Sequence, residues 1–233
     1  MPYRHELKYI LDDASSELLR SRIKWILAKD THITTSGYYT VRSLYFDDLY
    51  NSAYNEKNMS ILNREKYRIR SYNQSDTVIN LERKIKSNNY ILKEIAPLTR
   101  KEVDSILTED YDFLRSSTSR LKQLFYYHCR SSLLRPRVII DYEREPFTME
   151  AGDVRITFDR NIRAGMENLD PFNNEMAMVE ALGPNKLIME VKYTNFLPSI
   201  VKDVLDAPRA VYSSSSKYVM CCEKTLFKRR TNF

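Results

Sequence analysis

Charged and apolar residues alternate with a period of two in four separate stretches of the chain. In Leu187-Ile188-Met189-Glu190-Val191-Lys192-Tyr193, Glu190 and Lys192 share one parity while Met189, Val191 and Tyr193 take the other. Glu6 and Lys8, then Arg68 and Arg70, then Glu82 and Lys84 repeat the arrangement. A β-strand sends successive side chains to opposite faces, so each stretch predicts a strand with one charged and one apolar side. If the strands belong to one sheet, one face carries dense positive charge with a few carboxylates set into it.

The rest of the pattern predicts strands at Tyr3–Ile10, Tyr39–Asp47, Tyr90–Ile95 ended by Pro97, Arg137–Glu145 limited by Pro146, Asp153–Arg160 and Ala177–Ala181. Residues 61–72 and 77–86 read as a hairpin across Asn73-Gln74-Ser75-Asp76, and Asn88-Asn89 as a second turn. Helical spacing predicts Asp12–Ala28, with an apolar stripe at Leu19, Ile23, Ile26 and Leu27. Further helices are expected over 49–59, 98–107, 110–128, 198–205 and 214–227, with a loop over 161–177. Seven or eight strands in antiparallel order with interspersed helices make this an α+β chain, not a doubly wound one. A closed sheet of about eight strands encloses room for side chains or one small ligand.

Length fits one domain over 1–233, with 228–233 as a basic tail. Thirty-seven basic against 31 acidic residues give +6, which favours anionic partners without forming a polybasic block. Seventeen tyrosines suit half-buried sheets and pocket walls. Three cysteines, Cys129, Cys221 and Cys222, lack metal-ligand spacing and favour a reducing compartment. The N-terminus is not that of a signal peptide, and no apolar run reaches the roughly 20 residues that span a bilayer. A cytoplasmic protein is expected.

Arginine and lysine lining a closed sheet would be ruinous unless water or a polyanion filled it. Arg68, Arg70, Arg144 and Arg155, with Lys8, Lys84, Lys93 and Lys192, form the candidate anion-binding set. Parity alone does not place Arg144, because Val138, Ile140 and Tyr142 share its side of the strand. Glu190 is the first candidate for a hard divalent cation, with Glu6 and Glu82 behind it because each has neighbouring lysines to pair with. His5, His32 and His128 share no motif, and packing explains His5 and His128 better than zinc does. No phosphate loop, kinase signature or hydrolase elbow is present, so any nucleotide phosphates would be held by side chains, and the lack of an RNA-binding motif argues against nucleic acid as the partner.

Taken in order, Glu6-Leu7-Lys8-Tyr9, Val41-Arg42-Ser43-Leu44-Tyr45-Phe46-Asp47, Lys66-Tyr67-Arg68-Ile69-Arg70, Glu82-Arg83-Lys84, Arg137 to Arg144, Val154 to Asp159 and Glu190-Val191-Lys192-Tyr193 resemble the VTC domain. This is the catalytic domain of the vacuolar transporter chaperone complex and its bacterial relatives, within the CYTH-like triphosphate tunnel proteins. The likeness runs from about Tyr3 to Tyr218. It implies an antiparallel eight-stranded triphosphate tunnel barrel that binds a triphosphate and a metal ion, Mn²⁺ or Mg²⁺. It implies Lys8, Arg68, Arg70, Lys84, Lys93, Arg144, Arg155 and Lys217 as phosphate contacts and Glu190 as the metal glutamate. It also implies ATP, triphosphate and polyphosphate as partners, with polyphosphate synthesis as the reaction. Catalysis would fall to Arg68, Arg70, Arg144, Arg155, Lys84 and Glu190. The motif here is Glu-x-Lys, one carboxylate short of the Glu-x-Glu-x-Lys of tunnel hydrolases, which leans toward a phosphate acceptor over water. A triphosphatase and a non-catalytic polyphosphate- or nucleotide-binding module are the alternatives. The resemblance leaves room for a membrane-protein partner, with no transmembrane segment in this chain itself.

Overall fold

The computed structural model describes residues 4–30, 36–88, 90–166, 169–206, 211–214 and 216–230, the last five of these by backbone only. Tyr3, His32, Asn89 and the end of the expected basic tail fall outside the described residues, as does the side chain of Lys228.

Among the described residues the chain forms eleven strands and seven α-helices. In order they are β1 His5–Asp12, α1 Asp13–Ile23, β2 Ala28–Lys29, β3 Tyr39–Asp47, α2 Ser52–Asn58, β4 Asn63–Tyr72, β5 Ser75–Ser87 and β6 Tyr90–Leu98. There follow α3 Arg100–Leu107, α4 Asp112–Arg115, α5 Arg120–Ser131, β7 Arg135–Met149, β8 Val154–Gly165 and β9 Met178–Glu180. The chain ends with β10 Lys186–Tyr193, α6 Ser199–Leu205, β11 Val211–Tyr212 and α7 Lys217–Arg230. The expected α+β class holds, but the strand count was too low. The short strands β2 and β11 are two residues each, too brief to show a period.

Two compact units can be distinguished, one of residues 1–40, 142–162 and 182–215, the other of 41–141, 163–181 and 216–233. In the first, β1 pairs antiparallel with β10 and β11, and β10 with β8. Its core joins Leu19 and Ile23 of α1 to Ile156, Phe158, Met189 and Val191. In the second, β3, β4, β5 and β6 pair antiparallel in that order. Its core joins Leu44 and Phe46, Tyr67 and Ile69, and Leu81 to Val103, Leu114 and Phe125 of the three helices α3–α5. In β1, β4, β5, β8 and β10 one parity is largely core and the other carries the polar side chains, whereas β3 and β7 bury residues of both parities. Burying each core side chain contributes roughly 1.5–3 kcal/mol, enough to fix the register against a one-residue slip.

Several boundaries differ from the sequence reading for identifiable reasons. Strand β7 runs through Pro146, and β6 through Pro97. Strand β6 ends the path of paired strands, where a missing N–H costs no ladder bond. The β4–β5 hairpin closes over Asn73 and Gln74 alone, both at positive φ (52° and 56°), and Tyr72 pairs with Ser75. Two left-handed residues suit the twist of a two-residue hairpin, so the loop is shorter than expected. The helix expected over 110–128 is two, α4 and α5, separated at Ser116-Ser117-Thr118-Ser119. Strand β8 extends to Gly165, into the segment read as loop, because Ala164 and Gly165 pair with β9. A Cβ at Gly165 would lie 2.4 Å from the Met176 sulfur, so that close approach needs glycine.

Candidate phosphate and metal site

In the first unit, register lays out two rows across β1, β10 and β8. One is Glu6, Lys192, Arg155 and the other is Lys8, Glu190, Thr157. The Glu190 carboxylate lies 3.0 Å from Lys192 Nζ, 3.6 Å from Lys8 Nζ and 3.8 Å from Arg144 Nη2. Lys8 also reaches Glu6 at 3.0 Å, so the two carboxylates share one ammonium. Arg144 donates to both oxygens of Asp159, at 2.7 and 2.6 Å, and its guanidinium lies over the Tyr142 ring. Burial works against that charge, but Asp159 more than offsets it and the pKa is raised well above its ordinary value. This pairing settles the position that parity left open. Arg155 is held at Nη2 by Asp30 (2.9 Å) and the Tyr39 hydroxyl (3.2 Å). The hydroxyl of Thr157, directly across from Glu190, is buried and finds no hydrogen-bond partner among the described residues.

In the second unit, the rows run across β3–β6. Lys66, Lys84 and Lys93 lie opposite one another in register, and the adjacent rows are Tyr45, Arg68, Glu82 and Ser43, Arg70, Asn80. Arg68 donates through Nε (2.7 Å) and Nη2 (2.5 Å) to the same Glu82 oxygen, Arg70 approaches that oxygen to 4.0 Å, and Lys93 reaches the other at 3.4 Å. Burial alone would raise the Glu82 pKa. Arg68, Arg70 and Lys93 outweigh it and hold the carboxyl well below the usual carboxylate range. Lys93 is pushed down, first by burial and then by the two arginines, against the pull of Glu82. Lys217 opens α7, beside Tyr218.

Thus Glu6, Lys8, Arg144, Arg155, Glu190 and Lys192 gather in one unit, and Arg68, Arg70, Glu82, Lys84 and Lys93 in the other. Sequence reasoning did not single out Lys66, Ser43, Tyr45, Asp30 or Tyr39. Lys66 follows the parity of Arg68 and Arg70 on its own strand, and that was the available signal; on β3 no chosen residue offered a parity for Ser43 and Tyr45 to share.

The donor set bears on the expected divalent cation. Among the described residues no group of three His, Cys, Asp or Glu side chains forms a cage. Glu190 and Glu6 instead provide two hard oxygen donors that share the Lys8 ammonium, with Lys192 and Arg144 also facing Glu190. This suits a Mg²⁺- or Mn²⁺-type ion, which keeps waters and takes substrate phosphate oxygens along with one or two carboxylates. Glu82, the third carboxylate considered, lies among its three cations in the other unit. His5 stacks on Tyr193 at 4.8 Å and His128 packs against Tyr67. No described helix is long and apolar enough to cross a membrane.

A family model for the VTC domain matches residues 3–226. No curated protein matches the chain. Among solved structures it is similar to HpAC1 from Hippeastrum, named as a candidate adenylyl cyclase with a dominant triphosphatase activity. That match has a TM-score of 0.56 at 12% identity and covers 97% of each chain. It is also similar to the PH1012 protein from Pyrococcus horikoshii, with a TM-score of 0.52 at 10% identity over 92% of this chain and 96% of that one. At these identities the likeness shows a shared fold, that of the triphosphate tunnel proteins.

Proposed function

Because the chain belongs to the VTC domain family, we propose that it is a metal-dependent polyphosphate polymerase that moves the terminal phosphate of ATP onto a polyphosphate chain. One observation carries the anion-binding half of this reading: Lys66, Lys84 and Lys93 directly opposite one another in three paired strands, beside Arg68 and Arg70. Like charges across a strand pair cost stability. Glu82 offsets part of that repulsion through Lys93, and the net positive row suits a polyanion.

In the reaction, the bond between the terminal phosphorus of ATP and its bridging oxygen breaks and ADP leaves with the electron pair. A terminal oxygen of the polyphosphate forms the new bond. That oxygen is already an anion, so no general base is required, and catalysis rests on positioning and charge. Arg68, Arg70, Lys84 and Lys93 in one unit, and Lys8, Arg144, Arg155 and Lys192 in the other, are the proposed phosphate contacts, with Lys217 at the start of α7. Arg144 and Arg68 are the best pre-set, each locked by a carboxylate. Glu190 and Glu6 would hold the divalent cation, which when bound supplies charge neutralisation on the phosphate oxygens.

Hydrolysis of a triphosphate is the second reading, favoured by the triphosphatase named among proteins of this fold. One experiment separates the two. Purified protein is incubated with ATP and Mn²⁺ or Mg²⁺, and products are resolved on a gel. Extended chains with ADP support the polymerase, whereas ADP and orthophosphate alone at every protein concentration reject it. Absence of any metal-dependent turnover, with phosphate binding retained, identifies a binding module.

A further inference from the structure

Strand β3 sets two hydroxyls beside the arginines of β4, Ser43 opposite Arg70 and Tyr45 opposite Arg68. In each pair the arginine donates: Arg70 Nε to Ser43 Oγ at 3.1 Å, and Arg68 Nη1 to the Tyr45 hydroxyl at 2.7 Å. A guanidinium has no acceptor, so each hydroxyl uses a lone pair and keeps its own proton. Among the described residues, neither hydroxyl donates that proton to another group, although Tyr45 is only 6% exposed and Ser43 fully buried. Leaving a buried donor unmet is costly, and a hydroxyl that already accepts a charged hydrogen bond is a stronger donor for it.

The Tyr45 hydroxyl is also held in place. Its ring stacks on Tyr218, with centroids 5.3 Å apart and planes 27° from parallel. Tyr218 donates to Asp47 at 2.5 Å, and Asp47 accepts the backbone N–H groups of Ala53 (2.9 Å) and Tyr54 (3.1 Å). Burial, then Cys222 and Asp47, raise the Tyr218 pKa and keep that donor protonated. Helix α7 thus fixes the ring that carries the hydroxyl.

We infer that the Tyr45 hydroxyl is a further substrate contact, donating to a phosphate oxygen alongside Arg68. Phosphate oxygens at neutral pH accept hydrogen bonds and a hydroxyl supplies one without adding charge to an already cationic face. The inference rests on the reading of that face as a polyphosphate site, and the test separates the two.

Tripolyphosphate binding to the full chain is measured by calorimetry for the wild type, Tyr45→Phe, Arg68→Ala and the double variant, with thermal melts for each. Tyr45→Phe keeps the ring stack and removes only the hydroxyl. The expected result is binding weakened by about tenfold with an unchanged melt, as for a lost hydrogen bond to a charged group. In the Arg68→Ala background the same substitution should still weaken binding by about threefold, because the hydroxyl makes its own contact. Unchanged affinity in Tyr45→Phe, with Arg68→Ala weakened, overturns the assignment and leaves the site standing. An effect that vanishes in the Arg68→Ala background also overturns it, since Tyr45 would then act only through the arginine. No binding by the wild type, or none lost in Arg68→Ala, overturns the polyphosphate reading itself.

Discussion

The two units use the same ingredients, alternating glutamate, lysine and arginine on paired strands, and arrange them to opposite ends. In the second unit Glu82 has a side chain 2% exposed and is gripped by a guanidinium at two points, with a second guanidinium and an ammonium close by. It is a fixed counter-charge that lets Arg68 and Arg70 stand side by side. In the first unit Glu190 and Glu6 are approached most closely by lysines, whose flexible side chains are a fifth to a quarter exposed, with the Arg144 guanidinium farther off at 3.8 Å from Glu190. On the proposed reading, an ammonium beside those carboxylates gives way to a divalent cation. Arginine's rigid fork makes the first arrangement, and lysine's mobile point charge makes the second. On that reading, one glutamate orders cations and the other takes one up.

The largest effect that follows is at Glu190. Replacing it with Gln keeps size and hydrogen bonding but removes the charge that holds a hard cation. Turnover should fall by about a hundredfold or more, with the melt retained and excess Mn²⁺ restoring part of the rate. Rates titrated against Mn²⁺ and Mg²⁺ provide the check. A folded Glu190→Gln protein with wild-type turnover and metal dependence would erase the distinction between the two glutamates.

Arg70→Ala should act in the opposite way, lowering rate or tripolyphosphate affinity by about a hundredfold while leaving the metal titration midpoint unchanged. Initial rates and calorimetry on the same preparation decide between affinity and rate. Near-normal values for both would exclude an essential role for Arg70.

Glu82→Gln sharpens the contrast through stability. Removing the buried counter-charge leaves Arg68 and Arg70 facing each other, at a cost on the order of 3 kcal/mol. The pH dependence has a definite sign. The folded-state pKa of Glu82 is depressed, so its contribution is complete above the ordinary glutamate value of about 4.3 and is lost as pH falls below that. Denaturant unfolding at neutral pH and in the window below pH 4.3 should show the wild type losing more stability on acidification than Glu82→Gln. Equal losses would mean that Glu82 is not coupled to the arginines in solution.

Much of this was readable in the chain because period-2 alternation is a local property. The parity of Glu6, Lys8, Arg68, Arg70, Glu82, Glu190 and Lys192 fixed their faces before any pairing was known. What could not be read was the partner across the strand gap. That Lys66 meets Lys84 depends on the Asn73-Gln74 turn together with the register shift between Arg70 and Tyr72, and that Lys84 meets Lys93 depends on the β5–β6 pairing. Arg144 was ambiguous for a related reason: β7 buries residues of both parities, including Val138, Ile139, Ile140 and Tyr142, so no polar side distinguishes itself. Only its bond to Asp159 on β8 orients it. Ser43 and Tyr45 escaped notice because hydroxyls are ordinary on strands, and their meaning comes from the arginines opposite. The prolines misled because their penalty depends on a neighbouring strand's demand for an N–H, which sequence does not show.

The smallest predicted effect asks whether the cationic faces act as discrete contacts or as a diffuse field. Arg4 shares the parity of Glu6 and Lys8 but pairs at 2.6 Å with Asp153, and both side chains are about half exposed. Exposed pairs of this kind contribute about 0–1 kcal/mol, so Arg4→Ala should shift unfolding by less than that at physiological ionic strength. A field effect would still appear in binding. At low salt the Debye length is several times its value of about 8 Å in physiological salt, and losing one positive charge would then slow association of tripolyphosphate. If the contacts are discrete, Arg4→Ala should bind tripolyphosphate within about twofold of the wild type at both high and low salt, whereas Arg70→Ala stays weak at both. Stopped-flow association rates across a salt series make the comparison. A loss in Arg4→Ala that is large at low salt and absent at high salt would show long-range steering. The named lysines and arginines would then have to be weighed as parts of one potential and not as individual ligands.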